Sequence, residues 1–294
     1  HLLVQKAWES GDPGIIFLDR INRDNPTPQL GEIEATNPCV PADTFVQTSQ
    51  GPRQVQDLLG GQVRLQVNGR EHVSTEHGFF HTGRKRIAEL QTAEGYTLRL
   101  TPEHKVLRAA SMTRYVLRTE WVQAKQLVPG DKVLINDHRE IPAWPGALGQ
   151  AEGYLIGLLL GDGTLKQDKA VLSAWVQEDA VNGQPRDHVA CSGIMQAVLE
   201  YAQELPHRSD FQGWQKIAGR NEYRLSLGSL KSIALGLGVQ PGHKQITPAV
   251  EKTSSAFYAG FLRGLFDADG SVQGDQNKGV SLRLAQSNAA TLQA

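Results

Sequence analysis

The 294-residue chain is poor in sulfur, with two cysteines, Cys39 and Cys191, and two methionines. Two cysteines build no disulfide framework, which fits a reducing compartment and a cytoplasmic protein. No run of eighteen or more apolar residues and no signal peptide is present, so nothing points to a membrane or to secretion. An excess of either charge is also missing: 30 Lys and Arg stand against 31 Asp and Glu, a net charge of -1. That excludes a protein held on nucleic acid by bulk charge alone. By region, residues 1–38 carry three basic and six acidic residues, 39–150 carry fourteen and eleven, and 151–294 carry thirteen and fourteen. Any nucleic-acid surface must therefore be one basic face balanced elsewhere.

What the chain does have is a repeat. GYLIGLLLGDGTL (153–165) and GFLRGLFDADGSV (260–272) lie 107 residues apart and share six of thirteen positions, including the Asp-Gly end. Small residues recur every fourth position, at Gly153, Gly157 and Gly161 and at Gly260, Gly264 and Ala268. Such a stripe predicts a helix with a smooth face against which another backbone packs closely. Each helix is expected to stop at its Asp-Gly, with glycine in the left-handed cap. Asp162 and Asp269 then sit at helix C-termini, where the macrodipole is already negative. Two such ends placed side by side repel unless a cation lies between them, so the repeat predicts a divalent metal. Asp267 occupies the position of Leu160 in the first copy and reads as a helix-end residue rather than a ligand.

Three regions follow from the local patterns. Residues 1–38 hold a short helical stretch and an apolar run but no core of their own. From residue 39 to 141 short strands alternate with Gly, Asn and Pro turn signals, at 44–48, 63–67, 87–91, 96–100, 104–107 and 132–135, an all-β pattern. After the stiff Ile141-Pro-Ala-Trp-Pro145 linker, residues 142–294 alternate helix and strand: a helix over 153–161, a strand at 170–175, a helix at 193–204, a strand at 221–227, a helix at 229–237, then the second repeat helix and a strand at 280–284. This is a duplicated α+β unit whose second copy is cut short. The fold class is thus mixed, all-β followed by α+β. The two ends read as those of a piece of a longer chain.

Cysteine is most often a small buried hydrophobe, and Cys191 fits that description. Cys39 differs because it opens a region, and Leu100-Thr-Pro-Glu-His104 follows about sixty residues later. A thiol at a domain's first residue with a Thr-x-x-His at a strand turn offers a nucleophile and an acid. Asp131, in Pro129-Gly-Asp131, reads as a turn residue.

At this point a resemblance becomes specific. Residues 39–48, 82–85 with 95–104, and 121–133 resemble the N-terminal splicing blocks of an intein, and the two repeats resemble the paired motifs of LAGLIDADG homing endonucleases, which often interrupt inteins. Together they cover about residues 39–294. The resemblance implies a Hint-type splicing fold over 39–141 and an endonuclease over 142–294. It also implies that the Cys39 thiolate attacks the Pro38 carbonyl in an N-to-S acyl shift, with His104 protonating the departing amide nitrogen and Thr101 polarising the scissile peptide. Pro38 restricts the acyl group, so slow thioester formation is expected.

For the endonuclease the resemblance implies a shared Mg2+ site at Asp162 and Asp269, and a pseudo-dimer formed by the two copies within one monomer. Lys244, in Gly242-His-Lys-Gln-Ile-Thr-Pro248, is the candidate for charge stabilisation or water activation. The strands after each helix would form a saddle on double-stranded DNA, with Lys166, Lys169, Arg224 and Arg283 as contacts. Residues 11–22 and 34–38 resemble the catalytic domain of adenosylcobalamin-dependent ribonucleotide reductase. There, Asn-Pro precedes the cysteine that carries the thiyl radical, so an insertion at this point splits the active-site loop until splicing restores it. Two other readings stand beside this one: a catalytically inactive DNA-binding module with the repeat fold, and a reductase whose activity appears only after splicing of the full-length protein.

Overall fold

The structure, a computed structural model, describes residues 39–176, 189–275, 279–287 and 291–292, with the backbone alone described at 189–192 and 275. The expected host segment 1–38, including Pro38, lies outside the described residues, as does the side chain of Cys191. The described residues form two compact units, one ending at Pro142 and the other beginning at Ala143.

The first unit is built of hairpins. Strands β1 (Phe45–Thr48), β2 (Gly51–Gln54), β3 (Arg64–Val67) and β4 (Arg70–Val73) form a sheet in the order β2-β1-β3-β4. The β3–β4 turn is Asn68-Gly69, with φ of 50° and 73°. Positive φ at both central residues gives the twist that a two-residue hairpin needs, which Asn-Gly supplies at little cost. Two further hairpins follow, β5 (Ala88–Gln91) with β6 (Thr97–Leu100), and β7 (Lys105–Met112) with β8 (Leu117–Gln123). The strand expected at 132–135 is instead a single bridge, Arg108 to Val133. Backbone bonds from Ala109 N to Lys132 O and from Leu134 N to Leu107 O hold it against β7. Asp131 is indeed a turn residue, its carboxylate accepting from Val128 N at 3.0 Å and from Arg108 at 3.1 Å.

The second unit carries the large core. Helix α1 (Gln150–Leu160) has nine buried residues, Ala151 and 153–160. A helix that is apolar all round is stable only when enclosed on every side. Around it lie a four-stranded sheet in the order β11-β12-β10-β9, made of β9 (Thr164–Leu165), β10 (Ala170–Trp175), β11 (Gln215–Lys216) and β12 (Glu222–Ser226), and the helices α2 (Val189–Glu204) and α3 (Gly228–Gly236). After the short α4 (Pro248–Glu251) comes α5 (Ser255–Asp269), then the hairpin β13 (Gly270–Asp275) and β14 (Gly279–Leu284). Ser254 caps α5, its hydroxyl accepting from Phe257 N at 3.0 Å and donating to Leu148 O at 2.6 Å. Glu152 caps α1 by accepting from Gly149 N at 2.8 Å. No helix among the described residues is long and apolar enough to cross a membrane.

Helices α1 and α5 meet backbone to backbone through the glycines of the repeat. A Cβ on Gly153 would fall far inside van der Waals contact of Phe257 O, and one on Gly260 would do the same with Gln150 O. Gly157 faces Phe261 O and Gly264 faces Tyr154 O in the same way. These contacts are reciprocal: Phe257 is Gln150 plus 107, and Phe261 is Tyr154 plus 107. Each helix thus presents the same patch to the other, as across a twofold axis.

The helix ends differ from expectation in one respect. Neither Gly161 (φ -68°) nor Gly270 (φ -82°) is left-handed, and Gly163 is not among the glycines with positive φ. Close approach explains these glycines instead. A Cβ on Gly163 would meet Leu159 Cα at 2.5 Å, one on Gly270 would run into Phe266 O, and one on Gly161 would strike Ala268 Cβ.

Candidate functional site

The helix ends bring together the carboxylates of the repeat. Asp162 follows α1 and is exposed; Asp269 closes α5 and is half-buried. A Cβ on Gly161 would strike Ala268 Cβ and also crowd Asp269 Oδ2, so glycine at 161 lets the end of α5 come this close. Burial, and after it the charge of Asp162, pushes the Asp269 carboxyl above the usual range; the Gln286 amide, which donates to Asp269 Oδ2, and the positive charge of Lys244 act against this.

Lys244 belongs to the same site through an arrangement the sequence did not suggest. Its ammonium donates to three carbonyls at the end of α1, Leu159 O at 3.2 Å, Gly161 O at 2.9 Å and Gly163 O at 2.7 Å. Three N–H groups meet three acceptors, so the side chain closes the helix terminus where the macrodipole is negative. Burial lowers its pKa, while Asp269 and Asp162 raise it.

The carboxylate pair suits a hard divalent cation of the magnesium type. Among the described residues no group of three or more His, Cys, Asp and Glu comes together to hold an ion alone. Magnesium keeps several waters and needs only one or two carboxylates when substrate phosphates supply further oxygens, so Asp162 and Asp269 fit it better than they fit an ion that demands a full protein cage.

The polar departures between the copies gather at one place beside this site. Tyr154, Ile156 and Leu160 of α1 correspond by offset to Phe261, Arg263 and Asp267 of α5. The Tyr154 hydroxyl donates to Asp267 at 2.8 Å, Arg263 lies 5.0 Å over the Tyr154 ring, and its guanidinium is 3.8 Å from Asp267. Burial and the Asp267 carboxylate raise the pKa of Tyr154 far above that of a free phenol. Aligning the repeats and asking which mismatches change polarity would have found this cluster.

On the open face of the four-stranded sheet lies a groove of about 820 Å³. Lys166, Lys169 and Arg224 line it, joined by His207 and Arg208, which the sequence reading did not single out. Arg283 is elsewhere, exposed on β14 opposite Ser271 and outside this groove.

In the first unit Cys39, Thr101 and His104 come together although 62 and 65 residues separate the last two from the first. Thr101 N donates to Cys39 O at 3.0 Å, and Cys39 N donates to the Thr101 hydroxyl at 3.4 Å. His104 Nδ1 lies 3.2 Å from Cys39 O; a carbonyl only accepts, so Nδ1 carries the proton in this contact. Burial lowers the His104 pKa, partly offset by that bond, which favours the neutral ring near pH 7. The Thr82 hydroxyl lies 3.3 Å from Cys39 Sγ, a neighbour the sequence could not pair with it.

Residues 256–294 match the model of a LAGLIDADG-like domain, and residues 1–50 match the ribonucleotide reductase barrel domain. The chain is 22% identical over 316 residues to the NrdEB alpha chain of ribonucleoside-diphosphate reductase from Bacillus subtilis, an alignment covering 97% of this chain and 27% of that protein. It is 57% identical over 37 residues to the vitamin B12-dependent ribonucleoside-diphosphate reductase of Thermoplasma acidophilum, 13% of this chain and 5% of that protein. It is also 29% identical over 192 residues to the large chain of ribonucleoside-diphosphate reductase from Invertebrate iridescent virus 6, 59% of this chain and 19% of that protein. The chain therefore spans well under half the length of these relatives. It joins ribonucleotide reductase barrel sequence to a LAGLIDADG-like domain, a combination consistent with an intein-containing ribonucleotide reductase.

Proposed function

We propose that the second unit is a homing endonuclease that cuts both strands of DNA at the site where its own coding sequence is inserted. The observation that carries this reading is the reciprocal glycine packing of α1 and α5; Asp162 and Asp269 follow from the adjoining ends of these helices, near enough for the charge of one to raise the pKa of the other. The two copies act as a pseudo-dimer within one monomer. Asp162 and Asp269 hold the cation, and the Lys244 ammonium keeps the α1 terminus closed and adds positive charge beside the phosphates. Bound Mg2+ polarises a phosphate and makes a coordinated water more acidic. Lys166, Lys169 and Arg224 meet the DNA on the groove side of one copy, and Arg283 meets it on the other.

The first unit is the N-terminal part of a Hint-type splicing domain. The Cys39 sulfur attacks the Pro38 carbonyl carbon, the amide to Cys39 N breaks, a thioester forms, and the amide nitrogen takes up a proton. Thr101 accepts from the leaving nitrogen, Cys39 N, and His104 donates to Cys39 O on the next peptide, so both side chains stand beside the bond that breaks, which supports this reading. After splicing in the cytoplasm, the host is a ribonucleotide reductase that uses adenosylcobalamin.

The test is incubation of the full-length protein with uninterrupted insertion-site DNA and Mg2+. Double-strand cuts are expected, and Asp162→Asn should abolish them; DNA binding without cuts would leave a binding module instead. Cleavage after Pro38 by added thiol, lost in Cys39→Ala, tests the splicing unit separately.

A further inference from the structure

A buried carboxylate sits on the open face of the groove sheet, where DNA phosphates would make a negative charge unwelcome. In β12 the residues alternate: Leu225 joins the core, while Glu222, Arg224 and Ser226 point to the other face, paired with Trp175, Ser173 and Val171 of β10. That face is the groove, since Arg224, Ser226, Ser173 and Val171 line it. Glu222 is nevertheless only 1% exposed.

The partners of Glu222 explain its position. Oε1 accepts from Arg224 Nε at 2.6 Å and from the Ser173 hydroxyl at 3.3 Å. Oε2 is buried without a hydrogen bond, and Arg220 Nη1 stands 3.6 Å from it. A carboxylate with two guanidiniums leaves the trio with one net positive charge. The Nε bond fixes the plane of the Arg224 guanidinium, and its side chain is still 46% exposed. Once Nε is committed, the outer Nη edge is the part of the fork that can meet a ligand.

We propose that Glu222 is a positioning residue that aims the Nη edge of Arg224 at a guanine edge in the major groove, making Arg224 a reader of sequence. This deepens the DNA reading above and rests on it. A phosphate contact tolerates a mobile cation, whereas bidentate contact with guanine O6 and N7 demands a fixed plane. A β-strand face can carry such a side chain into the major groove. The rotamer freedom of Arg224 is lost on folding, before DNA arrives, and binding no longer has to supply that ordering. Ser173 holds the carboxylate from the neighbouring strand, so the aim is set by two strands rather than by one side chain.

The experiment uses the full-length protein and insertion-site duplexes in which each base pair is changed in turn, with Ca2+ in place of Mg2+ to stop cutting. Wild type is expected to lose about tenfold in affinity when one particular G·C pair is changed. Arg224→Ala should remove that discrimination. Glu222→Ala should remove it at the same pair although Arg224 remains, while Glu222→Gln, which keeps an acceptor for Nε, should retain part of it. The inference is overturned if Glu222→Ala discriminates as wild type does. It is equally overturned if both variants only flatten the salt dependence by about one counterion, the mark of a phosphate contact. Because loss of a buried carboxylate beside two arginines can unfold the unit, the wild-type protein supplies a second measurement. The Arg224 Nε–H should exchange slowly with water by nitrogen-15 NMR before DNA is added; fast exchange would contradict the bracing. If wild type binds no DNA, the nuclease reading itself falls and takes this one with it, an outcome separate from DNA bound without discrimination.

Discussion

Helices α1 and α5 share a motif, a glycine stripe and a carboxylate end, yet they live in different surroundings. The first is enclosed on all sides, with every residue from 153 to 160 buried. The second buries one stripe, Phe257, Gly260, Phe261, Gly264 and Leu265, and leaves Leu262 half-exposed. The difference shows in composition: α1 between Gly153 and Gly161 has no charge, while α5 places Arg263 and Asp267 among its apolar residues. The shared features set the contact between the helices; the differing ones meet across it, Tyr154 with Asp267. A contact between two copies of α1 would leave Tyr154 facing Leu160, and one between two copies of α5 would face Asp267 with Phe261, stranding a carboxylate. The mismatch therefore favours pairing of unlike copies.

Breaking the shared part should have the largest effect. Gly264→Ala or Gly157→Ala forces a methyl into a carbonyl of the facing helix and should destabilise the second unit by about 3 kcal/mol or more, read from thermal melting. Because the contacts are reciprocal, Gly153→Ala and Gly260→Ala should cost as much. Gly236→Ala, where nothing lies within 4 Å, should be neutral or stabilise by up to about 1 kcal/mol.

The differing part is sharpened by a cycle. Tyr154→Phe alone should cost about 1–2 kcal/mol by leaving the Asp267 carboxylate short of a donor. Adding Asp267→Leu makes both copies alike at these positions and should recover most of the loss; additive costs would show that the pair does not act as one.

The helix ends give a smaller effect of opposite sign. The raised Asp269 pKa means that folding disfavours its charged form, so its contribution to stability falls as pH rises through the carboxylate range. At neutral pH without divalent cations, Asp269→Asn should raise Tm by about 2–4 °C, and Mg2+ should raise the Tm of wild type but not of that variant. The first unit offers the smallest effect. His104 has a pKa lowered by burial, so the unfolded chain takes up the proton first, and stability is lost as pH falls through the unfolded value of about 6.5. His104→Gln should flatten that dependence, measured by denaturant titration from pH 7.5 to 5.5.

Much of this was legible because the repeat encodes its own contact. Two glycines every fourth residue in two copies specify a close crossing, and the crossing then fixes where Asp162 and Asp269 lie. The strand at 170–175 was legible from its apolar run, interrupted only by Ser173, and β12 from its alternation. The Asp-Gly ends carry no left-handed cap because Gly163 and Gly270 answer crowding against the helix turn just before them, at Leu159 and Phe266, and Gly161 answers crowding against Ala268 of the facing helix. The segment 132–135 looks like a strand, but it pairs with β7 through one bridge. Strands β2, β4 and β8 escaped because Pro52, the charged Arg70-Glu-His72 and the exposed run of β8 hide their pairing partners. Lys244 and Glu222 were invisible as placed groups: one caps a helix 81 to 85 residues away, and the other is buried by arginines two residues to either side.

The central claim is that the two copies make one cation site, and Mn2+ used in place of Mg2+ can report it directly. Electron paramagnetic resonance should find Mn2+ bound to the full-length protein on its insertion-site DNA, with Asp162→Asn and Asp269→Asn each removing most of that binding. If either variant keeps the full wild-type occupancy and affinity, the carboxylates do not share an ion and the account of the helix ends is wrong.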